Sequence, residues 1–183
     1  GTLKTLWNGE DRLQKSYFSS FPHYYRTGDI AVKDDDGYIF LQSREDDVIN
    51  VAGHRLMTSA MENVIAAHAS VVECAVVGVP DPLKGQLPLC FVVIFSESDF
   101  DSVKNDCIRM IRENIGPVAS FKLVIQVPKL PKTRSGKIIR GAISRLANGE
   151  TVNMPATIED PAPLFDICEK LRDAGFDVGR VVV

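Results

Sequence analysis

In the stretch LPKTRSGKIIR, residues 130–140, Lys137 follows Ser135 and Gly136 and precedes Ile138, Ile139, Ala142, Ile143 and Leu146, which recur at helical spacing. The pattern predicts a helix that begins at Lys137 with Ser135 as its N-cap. A helix start carries partial positive charge, so a lysine there is mildly disfavoured, whereas an anion would be welcomed by the dipole and the free backbone N–H groups together. The pattern therefore points to a negative ligand beside Lys137. It is not a P-loop, because Pro131 stands where that pattern needs glycine and Ile138 replaces the Ser or Thr that should follow the lysine. Taken alone, PKTRSGK equally suits a solvated basic loop.

Other reactive constellations are poorly supported. His23, His54 and His68 have no Ser or Cys arranged with them for a nucleophilic triad, and Met57 and Met61 read as core residues. Cys74, Cys90, Cys107 and Cys168 are far apart in sequence and form no CxxC pair, so reduced, mostly buried thiols are expected instead of a zinc site or disulfides. That expectation favours cytoplasm or a mitochondrial matrix over secretion. Net charge is −3, yet residues 129–145 carry Lys129, Lys132, Arg134, Lys137, Arg140 and Arg145 without an acid, while the tail from 148 onward holds seven acids against three bases. The basic stretch suits an anionic small ligand and gives little support to nucleic-acid binding.

The elements that must position these residues follow from hydrophobic period. The 183 residues, 45% hydrophobic, suffice for one good core and a smaller flanking piece. The longest apolar run, LPLCFVVIF at 87–95, is too short for a membrane span and reads as a buried strand. DDDGYIFL at 34–41 reads as a turn and a strand. Met57, Ala60, Met61, Val64, Ile65 and His68 trace one helical face, followed by strands at 71–80 and 88–96, a helix at about 100–114 ended near Gly116-Pro117, and a strand at 121–127. A short helix at about 164–174 is expected to pack on the outside. The fold class is α+β: a small three-stranded sheet with flanking helices, preceded by a β-hairpin remnant. The expected organisation is 1–45 as the end of a larger domain, 46–147 as a small complete domain and 148–183 as a tail. The chain opens on Gly1 without a basic-then-apolar leader and reads as a piece of a longer polypeptide.

Three stretches in register, YRTGD at 25–29, DDVINVAGHR at 46–55 and PKTRSGK at 131–137, resemble the motifs of the AMP-forming acyl-CoA synthetases. That superfamily also includes luciferases and peptide-synthetase adenylation domains. TLWNGED, INVAGHRL, IRENIGPVASF and LPKTRSGKIIR are most similar to its short-chain branch, the acetyl- and propionyl-CoA synthetases. Ala60, where many members carry glutamate, leans toward the propionate type.

The resemblance implies a mobile C-terminal lid domain that works with a large N-terminal domain on a small carboxylic acid, ATP/AMP and CoA. It casts Lys137 as the catalytic lysine of adenylation, touching the substrate carboxylate and the bridging ribose or phosphate oxygens. Asp29 would accept hydrogen bonds from both ribose hydroxyls, with Arg44 also reaching the ribose and Arg55 near the nucleotide phosphates. Asp46 aligns with the hinge, Gly53 with the lining of the pantetheine tunnel, and Arg112 with the contact to the 3′-phosphate of CoA. Arg44 and, less strongly, Arg55 also fit surface ion pairs with the acids at 45–47, and Arg112 a solvated helix arginine. The phosphate loop, the Mg2+ site and the acyl pocket would lie upstream of Gly1, leaving this stretch inactive alone. Neither a nucleic acid nor a membrane is an expected partner. The alternative reading is a free-standing phosphate- or nucleotide-binding module using the basic segment 129–145.

Overall fold

The computed structural model describes residues 3–182. The chain divides into two compact units, Gly1–Asp46 and Asp47–Val183.

The first unit opens with a helical turn, α1 (Glu10–Leu13), that runs into a wider π-type turn over Gln14–Phe18. Tyr17 and Tyr25 stack with ring centroids 4.8 Å apart, and Phe18 meets Tyr25 edge-on. Strands β1 (Asp29–Lys33) and β2 (Ile39–Arg44) form an antiparallel hairpin that places Asp29 opposite Arg44. Its turn follows the Asp36-Gly37 signal: Gly37 adopts φ +91°, and Asp34 accepts from the Tyr38 N–H through its side chain at 2.8 Å. The hairpin buries little within its own unit. Ile39, Phe40 and Leu41 are 67%, 57% and 74% exposed, far more apolar surface than a two-stranded ribbon can hide by itself.

The second unit is built on a five-stranded sheet. Strand β6 (Gly85–Ile94) lies at its centre, antiparallel to β5 (Val71–Asp81) and parallel to β7 (Leu123–Gln126). These are the three strands expected from the sequence. A further hairpin, β3 (Val48–Val51) and β4 (His54–Met57), joins at the Val51–Gly85 pair and was not foreseen. Its two-residue turn has Ala52 at φ +51° and Gly53 at φ +86°, the left-handed pair that a type I′ turn demands, but without the Asn-Gly or Asp-Gly that usually announces it.

Helix α2 (Thr58–Ala66) packs on β5 and against α3 (Phe100–Asn114). The second of these starts where Asp99 accepts from the Ser102 N–H at 3.1 Å, and it buries Val103, Cys107 and Ile111 on one stripe. Helix α4 (Arg140–Ala147) packs on β5, and α5 (Ala162–Asp173) packs on α4 and β7. Leu164, Ile167 and Leu171 of α5 are fully buried in the same core as Phe91, Leu89 and Ile111. The tail helix is thus an integral layer, not an outer appendage: its apolar stripe covers area that would otherwise face water. Short strands β8 (Val152–Asn153) and β9 (Val181–Val182) pair in parallel and return the chain end to the body.

The helix expected to begin at Lys137 begins three residues later. Ser135 caps nothing; α4 has Ile139 at its N-cap position, with no side-chain cap. The physical reason is local. Gly136 takes φ +81° and its N–H bonds to the Thr133 carbonyl at 2.8 Å, closing a tight turn that sends Lys137 and Ile138 back as an extended strand.

Candidate functional site

Lys137 therefore stands on a hairpin tip, not on a helix start. The Thr133 N–H donates to the Lys137 carbonyl at 2.8 Å, the Ile139 N–H to the Pro131 carbonyl at 2.9 Å, and the Lys137 N–H to Thr133 Oγ1 at 3.1 Å. Lys132 and Ile138 form the bridge at the base. The side chain of Lys137 is exposed, and among the described residues none forms an ion pair or hydrogen bond with its amine. Its base is firmly held. Lys132 forms an ion pair with Glu73 of β5, and just beyond the loop Arg140 grips Glu62 of α2 with two parallel bonds, Nε to Oε1 at 2.8 Å and Nη2 to Oε2 at 2.6 Å. Glu62 Oε1 also accepts from the Val76 N–H at 2.8 Å, so the carboxylate of this buried residue is both paired and hydrogen-bonded. The bond to Glu62 raises the pKa of Arg140, keeping it charged at any working pH.

A second set gathers around Lys84. The Ala52 N–H, in the turn that holds Gly53, donates to the Lys84 carbonyl at 2.7 Å, and Lys84 Nζ donates to Ser120 at 2.6 Å. Lys84, Arg112 and Lys122 then line one cavity of about 340 Å³ with Ile111, Pro117 and Phe121. Three cations around an apolar floor suit a ligand that carries phosphate at one end. Gly53 and Arg112 are thus linked through one lysine loop. The loop itself is held by Asp81, whose carboxylate accepts from the N–H groups of Lys84 and Leu83; these bonds hold its pKa below the usual value. Arg55 lies on β4 opposite Asn50, with its side chain exposed.

In the first unit, Asp29, Arg44 and Asp46 come together. Arg44 donates from Nε to Asp46 at 3.1 Å and from Nη1 to the Thr27 carbonyl at 3.1 Å, and the same Nη1 lies 3.5 Å from Asp29. The ion-pair reading of Arg44 is thus realised in this structure, alongside its approach to Asp29. A concavity of about 370 Å³ lined by Tyr17, Arg26, Thr27, Gly28, Arg44 and Glu45 opens beside them. Asp46 is also the last residue of its unit.

Residues 60–137 match the family described as the AMP-binding enzyme C-terminal domain. Over 95% of its length the chain is 43% identical to human mitochondrial acyl-CoA synthetase short-chain family member 3. Over 87% it is 44% identical to the acetyl-coenzyme A synthetase of Pyrobaculum arsenaticum. The chain belongs to the acyl-CoA synthetase family. It spans 26% and 24% of those two relatives, so it corresponds to their C-terminal-domain portion and not to their whole length. Among solved structures, the anthranilate CoA ligase AuaEII in complex with anthranoyl-AMP superposes with a TM-score of 0.60 at 28% identity, covering 70% of this chain and 25% of that one.

Within this acyl-CoA synthetase domain, sequence reasoning missed the groups that hold the lysine loop. Glu62 had a visible signal: it is an acid between Met61 and Ile65 on the buried face of α2, and the basic segment offers Arg140 as partner. Lys84 and Lys122 had none, since only the tertiary fold brings them to one cavity with Arg112.

Proposed function

We propose that this chain is the mobile lid of an ATP-dependent short-chain acyl-CoA synthetase, which joins acetate or propionate, ATP and CoA into acyl-CoA, AMP and pyrophosphate. The reading is supported by the exposed, unengaged amine of Lys137 on a hairpin whose base is anchored by two ion pairs. An amine held in this way, on a stiff base and facing outward, suits delivery into a cavity outside its own domain.

The chemistry needs that delivery. A carboxylate must attack the α-phosphorus of ATP, so two anions approach each other. Lys137 places positive charge at the attacking oxygen, a contribution of about 3–4 kcal/mol, on the order of a hundred- to a thousandfold in rate. Asp29 and Arg44 hold the ribose, and Arg55 lies near the phosphates. After adenylation the lid pivots at Asp46, the last residue before the second compact unit. The Gly53 turn then lines the path of pantetheine, and Arg112 with its two neighbouring lysines receives the CoA phosphates. The partner domain is the protein's own N-terminal domain, which would cover the exposed face of the β1–β2 hairpin.

Mg2+ is proposed to be held with the ATP phosphates by the N-terminal domain, and among the described residues no group of three or more His, Cys, Asp or Glu could hold a metal. No helix among them is long and apolar enough to cross a membrane. A cytoplasmic or mitochondrial-matrix location is proposed, in keeping with four buried free thiols and the mitochondrial relatives. Propionate is the favoured acid, on the Ala60 departure.

In the intact enzyme, Lys137→Ala should lower acyl-adenylate formation a hundredfold or more while sparing thioester formation from preformed adenylate. Loss of the second half-reaction instead overturns the assignment. Pyrophosphate exchange with acetate, propionate and butyrate ranks the acids, and a preference for butyrate would remove the short-chain assignment.

A further inference from the structure

The tail is paired with the lysine hairpin. Along the strand leading into the loop, Pro131 and Thr133 turn their backbone groups inward to Ile139 and Lys137, and the alternate residues turn theirs the other way. There the tail meets them: the Glu159 N–H donates to the Lys132 carbonyl at 2.9 Å and the Arg134 N–H to the Thr157 carbonyl at 3.0 Å, with Thr133 and Ile158 bridged antiparallel. The segment leading into the lysine loop is thus the middle of three short extended pieces, bridged by one residue pair to Ile138 on one side and by one pair to the tail, the third strand, on the other.

That third strand is itself tied down. The Ile158 N–H closes a turn onto the Pro155 carbonyl at 3.0 Å, and its side chain packs against the core. Asp160 lies 3.8 Å from Lys129 and accepts from the Ala162 N–H at 3.0 Å at the start of α5, whose apolar face is fully buried. A lone two-stranded hairpin in water is marginally stable at best, and a third strand with packing behind it changes that.

We propose that residues 157–160 are a positioning strand for Lys137, holding the loop at the geometry from which its amine acts. This rests on the adenylation role assigned to Lys137. A displacement of about 1 Å in a charge-delivering group can cost on the order of a hundredfold in rate, so a loop left to fray should lose adenylation before it loses anything else.

Glu159 separates backbone from side chain. Its side chain is exposed and takes part in no hydrogen bond or ion pair among the described residues, while its N–H is one of the two pairing bonds. In the intact enzyme Glu159→Pro, which removes that donor together with the exposed side chain, should lower acyl-adenylate formation at least tenfold. Thioester formation from preformed adenylate should stay within about twofold, and Glu159→Ala should match the parent in both. Hydrogen exchange at the Thr133 and Gly136 amides should quicken in Glu159→Pro and stay unchanged in Lys137→Ala. Equal loss of both half-reactions, or unaltered adenylation and exchange, overturns the proposal. If Lys137→Ala leaves adenylation intact, the function reading fails, and the exchange measurement alone decides whether the tail holds the loop. Should Glu159→Pro fail to fold by circular dichroism, Ile158→Ala gives the same comparison with a smaller loss.

Discussion

Glu62 carries a negative charge into the core, and the structure answers it with a guanidinium and a backbone N–H. The two halves of that pair are unequally exposed, Glu62 at 11% and Arg140 at 36% of side-chain area. Removing the arginine leaves a largely buried carboxylate with the Val76 N–H as its remaining partner, whereas neutralising the carboxylate leaves a guanidinium that can turn outward. Arg140→Ala should therefore cost about 2–4 kcal/mol in urea unfolding, and Glu62→Gln, whose amide oxygen can still accept from Val76, about 1–2 kcal/mol. The reverse ranking would mean that the carboxylate is better solvated than its burial implies. Lys137 obeys the opposite logic. It is exposed and engages nothing, so its replacement by alanine should move stability by less than about 0.5 kcal/mol, and any lost activity belongs to chemistry and not to folding.

At the scale of elements, the lysine loop is held from two directions, by α2 and β5 through ion pairs and by the tail through backbone bonds. The tail in turn depends on one close approach. Gly179 donates to the Leu146 carbonyl at 3.0 Å as the chain passes the end of α4, and a Cβ there would sit 1.8 Å from the Glu150 carbonyl oxygen. Both are backbone, so neither can swing aside. Gly179→Ala should lift β9 from β8 and destabilise the unit by about 1–3 kcal/mol, read as a fall in Tm. Because the tail carries the strand paired to Lys132, the same substitution should quicken amide exchange in the hairpin. The approach leaves no trace in local sequence pattern, whereas α3 could be placed from its apolar period and the Gly116-Pro117 stop. The start of α4 was misread for a related reason: Ile138 and Ile139 fit the helical period, but Gly136 had already turned the chain into a strand.

For the molecule as a whole, four thiols lie in the core of the second unit, and burial raises each pKa: Cys74 to about 12, Cys107 to about 11, and Cys90 and Cys168 also upward. The folded state thus holds these protons more tightly than the unfolded chain, where a thiol titrates near 9.0. Their contribution is fully present below about pH 9 and is lost as pH rises toward the folded values, with a slope of about 1.4 kcal/mol per pH unit for each thiol that is ionised only when unfolded. Urea midpoints should be flat from pH 7 to about 8.5 and fall above it, and a thiol reagent should label none of the four until the protein unfolds. Labelling of a native thiol at pH 8 would contradict this packing. The sequence by itself determined the α+β class, the three central strands, helix α3 and the family, because periodicity, helix stops and contiguous motifs are local properties of the chain. Only the tertiary structure decided that Arg140 answers Glu62, that Lys84 and Lys122 join Arg112, and that the acidic tail supplies the third strand beside the lysine. Those pairings join residues tens of positions apart, and their partners are chosen by packing, to which no local pattern gives access.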